Sequence, residues 1–247
     1  MTVRLREQQQ RLLSDKEYLA DSLADISHQI RTPLTSIIGV IDTVMNEDEH
    51  LSHEDRVELL GDAKQDAEWL VRMVENLLSI TRISGSEQTN IEKSPELIEE
   101  ILGECIANFK KRNSDVNLKV TIPDEPLMVN VDAMLIEQVI MNLLDNAAKH
   151  AEGMTELRLD VKCSGSRALV SVADDGAGLD QAIIPVLFRG QIDPADGKSY
   201  DSNRFRGIGL ATCQAIVTAH GGTISAANRP EGGAVFGFSL PAEEEEE

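Results

Sequence analysis

The sequence predicts a two-part α+β protein, a long helical hairpin followed by an α/β sandwich, and three observations predict it. Two heptad runs separated by a short polar break fill the N-terminal part of the 247 residues. A turn-rich stretch then ends that periodicity, and beyond it helical and strand patterns mix. The length has room for two ordinary domains with real cores.

The first heptad run passes through Leu5, Leu12, Leu19, Ile26, Pro33 and Val40, with Leu23, Ile30, Ile37 and Val44 interleaved. This spacing puts an apolar seam on one side of a long helix. A break around Asn46 to His53 follows. The second run then passes through Val57, Leu60, Lys64, Ala67, Val71, Val74, Leu78 and Thr81. Two such helices joined by a short loop form an antiparallel hairpin, and a hairpin with one seam per helix leaves much of that seam wet. Pairing two hairpins into a four-helix bundle covers it, so the sequence predicts a homodimer. Gln9, Lys16 and Lys64 on the seams set register.

Ile83 to Asn90 is rich in turn formers and ends the hairpin. The predicted domains are a hairpin at 1–84, a linker at 85–92, a mixed domain at 93–242 and an acidic tail at 243–247. Within the mixed domain the patterns predict a helix near Glu96 to Arg112, a strand near Asn117 to Ile122 and a helix from Ala133 to His150. Strands at Glu156 to Cys163 and Ala168 to Ala173 follow, then a polar loop, a helix from Leu210 to His220 and a hairpin turning at Glu231-Gly232-Gly233. Helices on one face of a mixed sheet give a two-layer sandwich.

Composition narrows the function. Acidic residues outnumber basic ones 43 to 23, with no long basic cluster, which excludes a direct role on nucleic acid or an anionic membrane. No window reaches the apolar length of a membrane span and the polar N-terminus is not a signal peptide, so the expectation is a soluble cytoplasmic chain. Cys105, Cys163 and Cys213 lack metal-ligand spacing and are expected as reduced thiols buried like small hydrophobes.

With Ile26 at heptad position d, His28 falls at f, farthest from the seam, and Thr32 lies one turn along on the same outer strip. A structural histidine would sit on the seam, whereas this one faces solvent. Pro33 removes a backbone donor beside it and loosens the helix locally.

The run Ser27 to Thr35, SHQIRTPLT, resembles the H-box of sensor histidine kinases. The resemblance implies that His28 takes a phosphoryl group from ATP and passes it to an aspartate. Three later segments fit the same family in order. Asn142 to His150, NLLDNAAKH, resembles the N-box of the Bergerat-type ATP-binding fold shared by histidine kinases, gyrase and MutL. Asn142, Asn146 and Lys149 fall at i, i+4 and i+7 on one helix face. The family places Mg²⁺ and the triphosphate there, with Asn142 and Asn146 as neutral oxygen ligands and Lys149 neutralising phosphate. His150, where tyrosine is frequent, contacts ribose or phosphate.

Asp174-Asp175-Gly176-Ala177-Gly178 resembles the first glycine box. There Asp174 accepts from the adenine amine, and Gly176 and Gly178 let backbone approach the nucleotide. Arg206-Gly207-Ile208-Gly209-Leu210 resembles the second glycine box, a phosphate cradle at a helix N-terminus. Between the boxes, Asp180 to Phe205 reads as a lid. The ending His220-Gly221-Gly222 through Asn228-Arg229-Pro230-Glu231-Gly232-Gly233 resembles Kdp-type potassium-sensor kinases. No GxxxxGK[ST] occurs, so this is not a P-loop protein.

The chain departs from the family at Gln29, where a carboxylate normally follows the histidine. A carboxamide holds the imidazole tautomer but removes no proton. Asp25, one turn before His28, is the candidate for a substitute base. Arg31 and Thr32 complete the catalytic set, Thr32 matching the residue that positions water for dephosphorylation. Phe205 replaces a glycine, and Leu187-Phe188-Arg189 approximates the F-box.

The resemblance implies a histidine autokinase using ATP and Mg²⁺, a response-regulator receiver domain as partner, and an upstream sensor or membrane domain not present in this chain. A phosphatase or scaffold that has lost kinase activity is the alternative, kept open by Gln29 and Phe205. A gyrase- or MutL-like ATPase needs a water-activating glutamate where Asn142 stands.

Overall fold

A computed structural model describes residues 27, 30–46, 51–84, 91–188 and 207–242. The chain divides into two compact units, Met1–Glu75 and Asn76–Glu247. Asp25, His28, Gln29, most of the expected lid, Arg206, most of the linker and the acidic tail lie outside the described residues.

In the first unit, α1 covers 30–46 and runs without a break through Pro33, which is buried. Thr35 Oγ1 donates back to the Arg31 carbonyl at 2.8 Å. Helix α2, His53–Ser84, opens with a reciprocal cap. Ser52 Oγ accepts from the Asp55 N–H at 3.1 Å, and Asp55 Oδ2 accepts from the Ser52 N–H at 3.2 Å. Two orphan donors of the first turn are thereby satisfied.

The expectation of one apolar seam per helix needs correction. On α1, Pro33 is buried and Ile30, Ile37, Val40 and Val44 are half-buried, but Leu34, Ile38, Ile41 and Met45 make a second, exposed stripe. On α2 the residues buried in a single chain include Ala63 and Met73, outside the predicted heptad. The heptad residues Val57, Leu60, Val71, Val74 and Leu78 are exposed, Val71 by 58%. A bundle helix meets more than one neighbour, which requires a wider apolar arc than a two-stranded seam.

The second unit is built on a five-stranded sheet, β2 (Leu118–Thr121), β4 (Leu157–Ser164), β5 (Arg167–Asp174), β7 (Ala234–Pro241) and β6 (Thr223–Asn228), in that spatial order. Only the β2–β4 pair is parallel. Leu157, Leu159 and Val161, Ala168, Val170 and Val172, and Phe236, Phe238 and Leu240 are buried, while Arg158, Lys162 and Leu169 are exposed. That alternation leaves one sheet face for α3 (Ile98–Arg112), α4 (Ala133–His150) and α5 (Gly207–Ala219). Their apolar faces complete the core, Phe109, Ile136, Ile140, Leu144 and Ile216 among them.

Helices α3, α4 and α5 and strands β2, β4 and β5 fall where the sequence puts them, within three residues, and β6 and β7 flank the expected turn at Glu231 to Gly233. Two short strands were not foreseen. β1 (Ser94–Leu97) pairs antiparallel with β3 (Met128–Val131), and α3 therefore begins at Ile98, after the expected Glu96. Four residues containing Pro95 carry too little period-two signal to read.

Asp132 caps α4 through the Leu135 N–H at 3.2 Å. Helix α5 closes with Gly221 at φ +75°. The Gly222 N–H reaches the Val217 carbonyl at 2.8 Å and the Gly221 N–H the Thr218 carbonyl at 2.9 Å, a Schellman closure. Cys105 and Cys213 are buried, and burial pushes both thiols up to about 12. Cys163 is exposed, against expectation, because it lies near the end of β4 where the strand leaves the core. Among the described residues no helix is long and apolar enough to cross a membrane.

Candidate nucleotide site

A cleft opens in the second unit between α4, the segment after β5, the start of α5 and β7. It encloses about 540 Å³, open mouth included. Its lining brings together five of the residues expected to bind nucleotide or metal, Asn146, His150, Asp174, Gly178 and Leu210. Ala147, Ala151, Leu179, Ile183, Leu187, Ala234 and Phe236 supply apolar walls. Apolar walls with few polar groups are typical of small-molecule sites.

Asp174 ends β5 and is only 4% exposed. Its Oδ1 accepts from the Gly176 N–H at 2.9 Å and the Ala234 N–H at 3.2 Å. These bonds fix the carboxylate through one oxygen, Oδ1. A carboxylate at an apolar cleft fits a flat heterocycle that carries an amine donor.

The segment after Asp174 is tied on both sides. On one side, Asp175 accepts from the Thr155 hydroxyl and from the N–H groups of Thr155 and Glu156 at 2.8 and 2.9 Å. These bonds, the Thr155 hydroxyl first, hold the Asp175 carboxyl down at about 2. The Ala177 N–H reaches the Glu152 carbonyl at 3.2 Å. On the other side, Asn228 and Arg229 of the β6–β7 hairpin bond to Leu179 and Asp174.

Two glycines are obligatory. Gly178 lies at φ +79°, and a Cβ there would stand 2.9 Å from Asn228 Oδ1. At Gly233, φ is +83° and a Cβ would stand 2.0 Å from the Asp174 carbonyl oxygen. Both need the left-handed region and the absent side chain.

Other expected residues stand elsewhere. Asn142 is not part of the cleft lining. It donates from Nδ2 to Asn76 Oδ1 at 3.3 Å, and Asn76 Oδ1 also accepts from Gln138 Nε2 at 2.9 Å. Ser79 Oγ donates to Gln138 Oε1 at 2.6 Å. The last turns of α2, from Asn76 onward, thus belong to the second unit. Lys149 is exposed and outside the lining. Gly176 backs onto Ala151 and Glu152, and Gly207 and Gly209 form the first turn of α5.

The sequence did not reveal most of the apolar walls, since a residue such as Ile183 belongs to no regular period, and Leu187 stood out only within the approximate F-box. Nor did it reveal the work of Asn228 and Arg229, whose contacts join segments 49 and 55 residues apart. His220 of the HGG run is structural. It is 2% exposed, its Nε2 accepts from the Asp132 N–H at 3.0 Å, and Nδ1 meets the Ile216 carbonyl at 2.8 Å.

Residues 18–86 match the His Kinase A (phospho-acceptor) domain, and residues 131–244 match the histidine kinase-, DNA gyrase B-, and HSP90-like ATPase. The chain is 38% identical over 221 residues to the sensor protein KdpD of Clostridium acetobutylicum, covering 90% of this chain and 24% of that protein. To KdpD of Escherichia coli it is 34% identical, covering 98% of this chain and 26% of the relative. The chain thus spans about a quarter of the length of these curated relatives. Among solved structures, histidine kinase ThkA in complex with response regulator protein TrrA aligns with a TM-score of 0.66 at 23% identity, over 92% of this chain and 63% of that one. That likeness extends the shared fold to both parts of the chain. A phosphoacceptor domain followed by this ATPase domain, with Kdp-type relatives along nine-tenths of the length, places the chain in its family: it belongs to the sensor histidine kinases of two-component systems.

Proposed function

We propose that the chain is an ATP-dependent histidine autokinase that phosphorylates His28 and passes the phosphoryl group to a response-regulator aspartate. The observation that carries the nucleotide half is Asp174, buried at an apolar cleft with Oδ1 held by two backbone donors. Adenine enters between the apolar walls and donates its amine to Asp174. His150, exposed at the cleft edge, contacts ribose or phosphate.

The triphosphate extends from the cleft toward α5, where Arg206, Gly207, Gly209 and Leu210 form the cradle. Asn146, on the cleft wall, and Asn142, one turn earlier on α4 with its Nδ2 on Asn76, would hold Mg²⁺ through their neutral carboxamide oxygens, and the ion would offset phosphate charge. Lys149 on the exposed side of α4 neutralises phosphate charge.

In the phosphoacceptor half, the Nε2 lone pair of His28 attacks the γ-phosphorus in line, the bond from that phosphorus to the β,γ-bridging oxygen breaks and ADP leaves, and the Nδ1 proton, now acidic, passes to a base or to water. Gln29 holds the tautomer, Asp25 is the candidate base, and Thr32, exposed on α1 next to Arg31, positions water for dephosphorylating the partner. The exposed stripes on α1 and α2 support a homodimer through the hairpin. An upstream sensor or membrane domain provides the input, and this portion works in the cytoplasm.

The test is incorporation of γ-labelled phosphate from ATP and Mg²⁺ into wild type and His28→Gln, followed by acid and alkali stability of the product. Acid-labile, alkali-stable label absent from the variant is expected. Gln29 favours a second reading, a nucleotide-binding phosphatase or scaffold. Its mark is nucleotide binding with no label.

A further inference from the structure

The run Asn228-Arg229-Pro230-Glu231-Gly232-Gly233 has a place in the fold that the proposed chemistry leaves unused. We propose that Asn228 and Arg229 are positioning residues that hold the Asp174 carboxylate in register for adenine, and so set how sharply the cleft discriminates between purines. This rests on the reading that Asp174 accepts from the adenine amine.

The geometry is a two-point clamp. Asn228 Oδ1 accepts from the Leu179 N–H at 2.6 Å and its Nδ2 donates to the Leu179 carbonyl at 2.7 Å. Both ends of one carboxamide therefore meet both polar groups of one backbone residue, which fixes the amide orientation. Arg229 Nη1 donates to the Asp174 carbonyl at 2.6 Å, and the arginine side chain is 16% exposed. Asn228 grips the far end of the glycine box and Arg229 the near end.

The clamp is itself rigid. The Arg229 N–H reaches the Gly233 carbonyl at 2.9 Å and the Gly232 N–H the Arg229 carbonyl at 3.1 Å. From the same turn the Ala234 N–H bonds directly to Asp174 Oδ1. The hairpin therefore fixes the backbone and one oxygen of Asp174 together. Neither Asn228 nor Arg229 lines the cleft, so both act through Asp174 and Leu179, which do. A carboxylate held this firmly cannot swing away from a base that presents an oxygen where adenine presents an amine. Discrimination depends on that rigidity.

Titration calorimetry of the full chain with ADP and with IDP, both in excess EDTA, reads base recognition without metal or phosphoryl transfer. The wild type is expected to prefer ADP. Asn228→Leu and Arg229→Met are expected to narrow the ADP-to-IDP preference by about three- to tenfold, the range of one or two lost hydrogen bonds. Arg229→Lys keeps a donor for the Asp174 carbonyl and restores most of the preference. Asn228→Asp keeps the acceptor for the Leu179 N–H and falls between, which covers the case in which Asn228→Leu does not fold. Loss of both nucleotides in equal proportion, or an unchanged ratio, overturns the proposal. Asp174→Asn separates the two levels. If that variant keeps the wild-type preference, the adenine reading and the clamp both fall. If it loses the preference while the clamp variants keep it, only the clamp falls.

Discussion

His220 Nε2 accepts the Asp132 N–H at 3.0 Å, joining the end of α5 to the cap of α4 across 88 residues of sequence. The acceptor role of Nε2 leaves the proton on Nδ1, aimed at the Ile216 carbonyl. The ring is thus bound neutral. Burial is the main cause that lowers its pKa, with Lys93 adding to it, while the Ile216 carbonyl and Asp132 oppose.

Since the folded pKa lies below the ordinary value of about 6.5, the unfolded chain binds the proton first. The contribution of His220 is complete above about pH 6.5 and drains away as pH falls toward the folded value. Urea denaturation of wild type and His220→Asn is expected to show a stability difference that is largest near neutrality and shrinks by about pH 5. A difference that stays flat over that range would show that His220 does not titrate.

Gly233→Ala forces a Cβ to within 2.0 Å of the Asp174 carbonyl at φ +83°. Nucleotide binding is expected to disappear in calorimetry, with a drop in melting temperature. Gly103→Ala is the contrast, because Gly103 lies exposed in α3 with nothing within 4 Å of the added carbon. That substitution is expected to stabilise by about 0.5–1 kcal/mol through helix propensity.

Asn76→Ala removes the acceptor shared by Gln138 and Asn142 and strands two amide donors. A loss of about 1–3 kcal/mol is expected in denaturant titrations. The double variant with Gln138→Ala is expected to lose less than the sum of the two single changes, since one bond is counted in both.

Val71→Glu places a charge on an exposed apolar stripe of α2. If that stripe is the dimer contact, light scattering with dilution should show the dimer weakening by about tenfold or more. A dimer of unchanged strength would move the contact elsewhere.

Much of the architecture was legible because it is periodic or local. The period-two runs of β4 and β5 and the apolar face of α4 depend on neighbours a few residues away, and their bounds differ from the sequence expectation by a residue or so. Asp174, Gly178 and Leu210 were legible as site residues through the resemblance of their segments to the two glycine boxes. The heptads revealed the hairpin, yet they could not show which stripe packs within one chain, because Ala63 and Val71 are equally apolar in sequence.

By itself, then, the sequence determined the order of the motifs, the helical hairpin, the sandwich class and the carboxylate of the cleft. Tertiary structure alone decided that Asn142 turns to Asn76 while Asn146 faces the cleft, although the two share a helix face. It also decided that Asn228 and Arg229 brace Asp174 and that His220 is a strut. Each of these depends on which distant backbone group meets a side chain at hydrogen-bond distance. Helical and strand periodicity encode the direction of a side chain, not the partner that the folded chain brings to it.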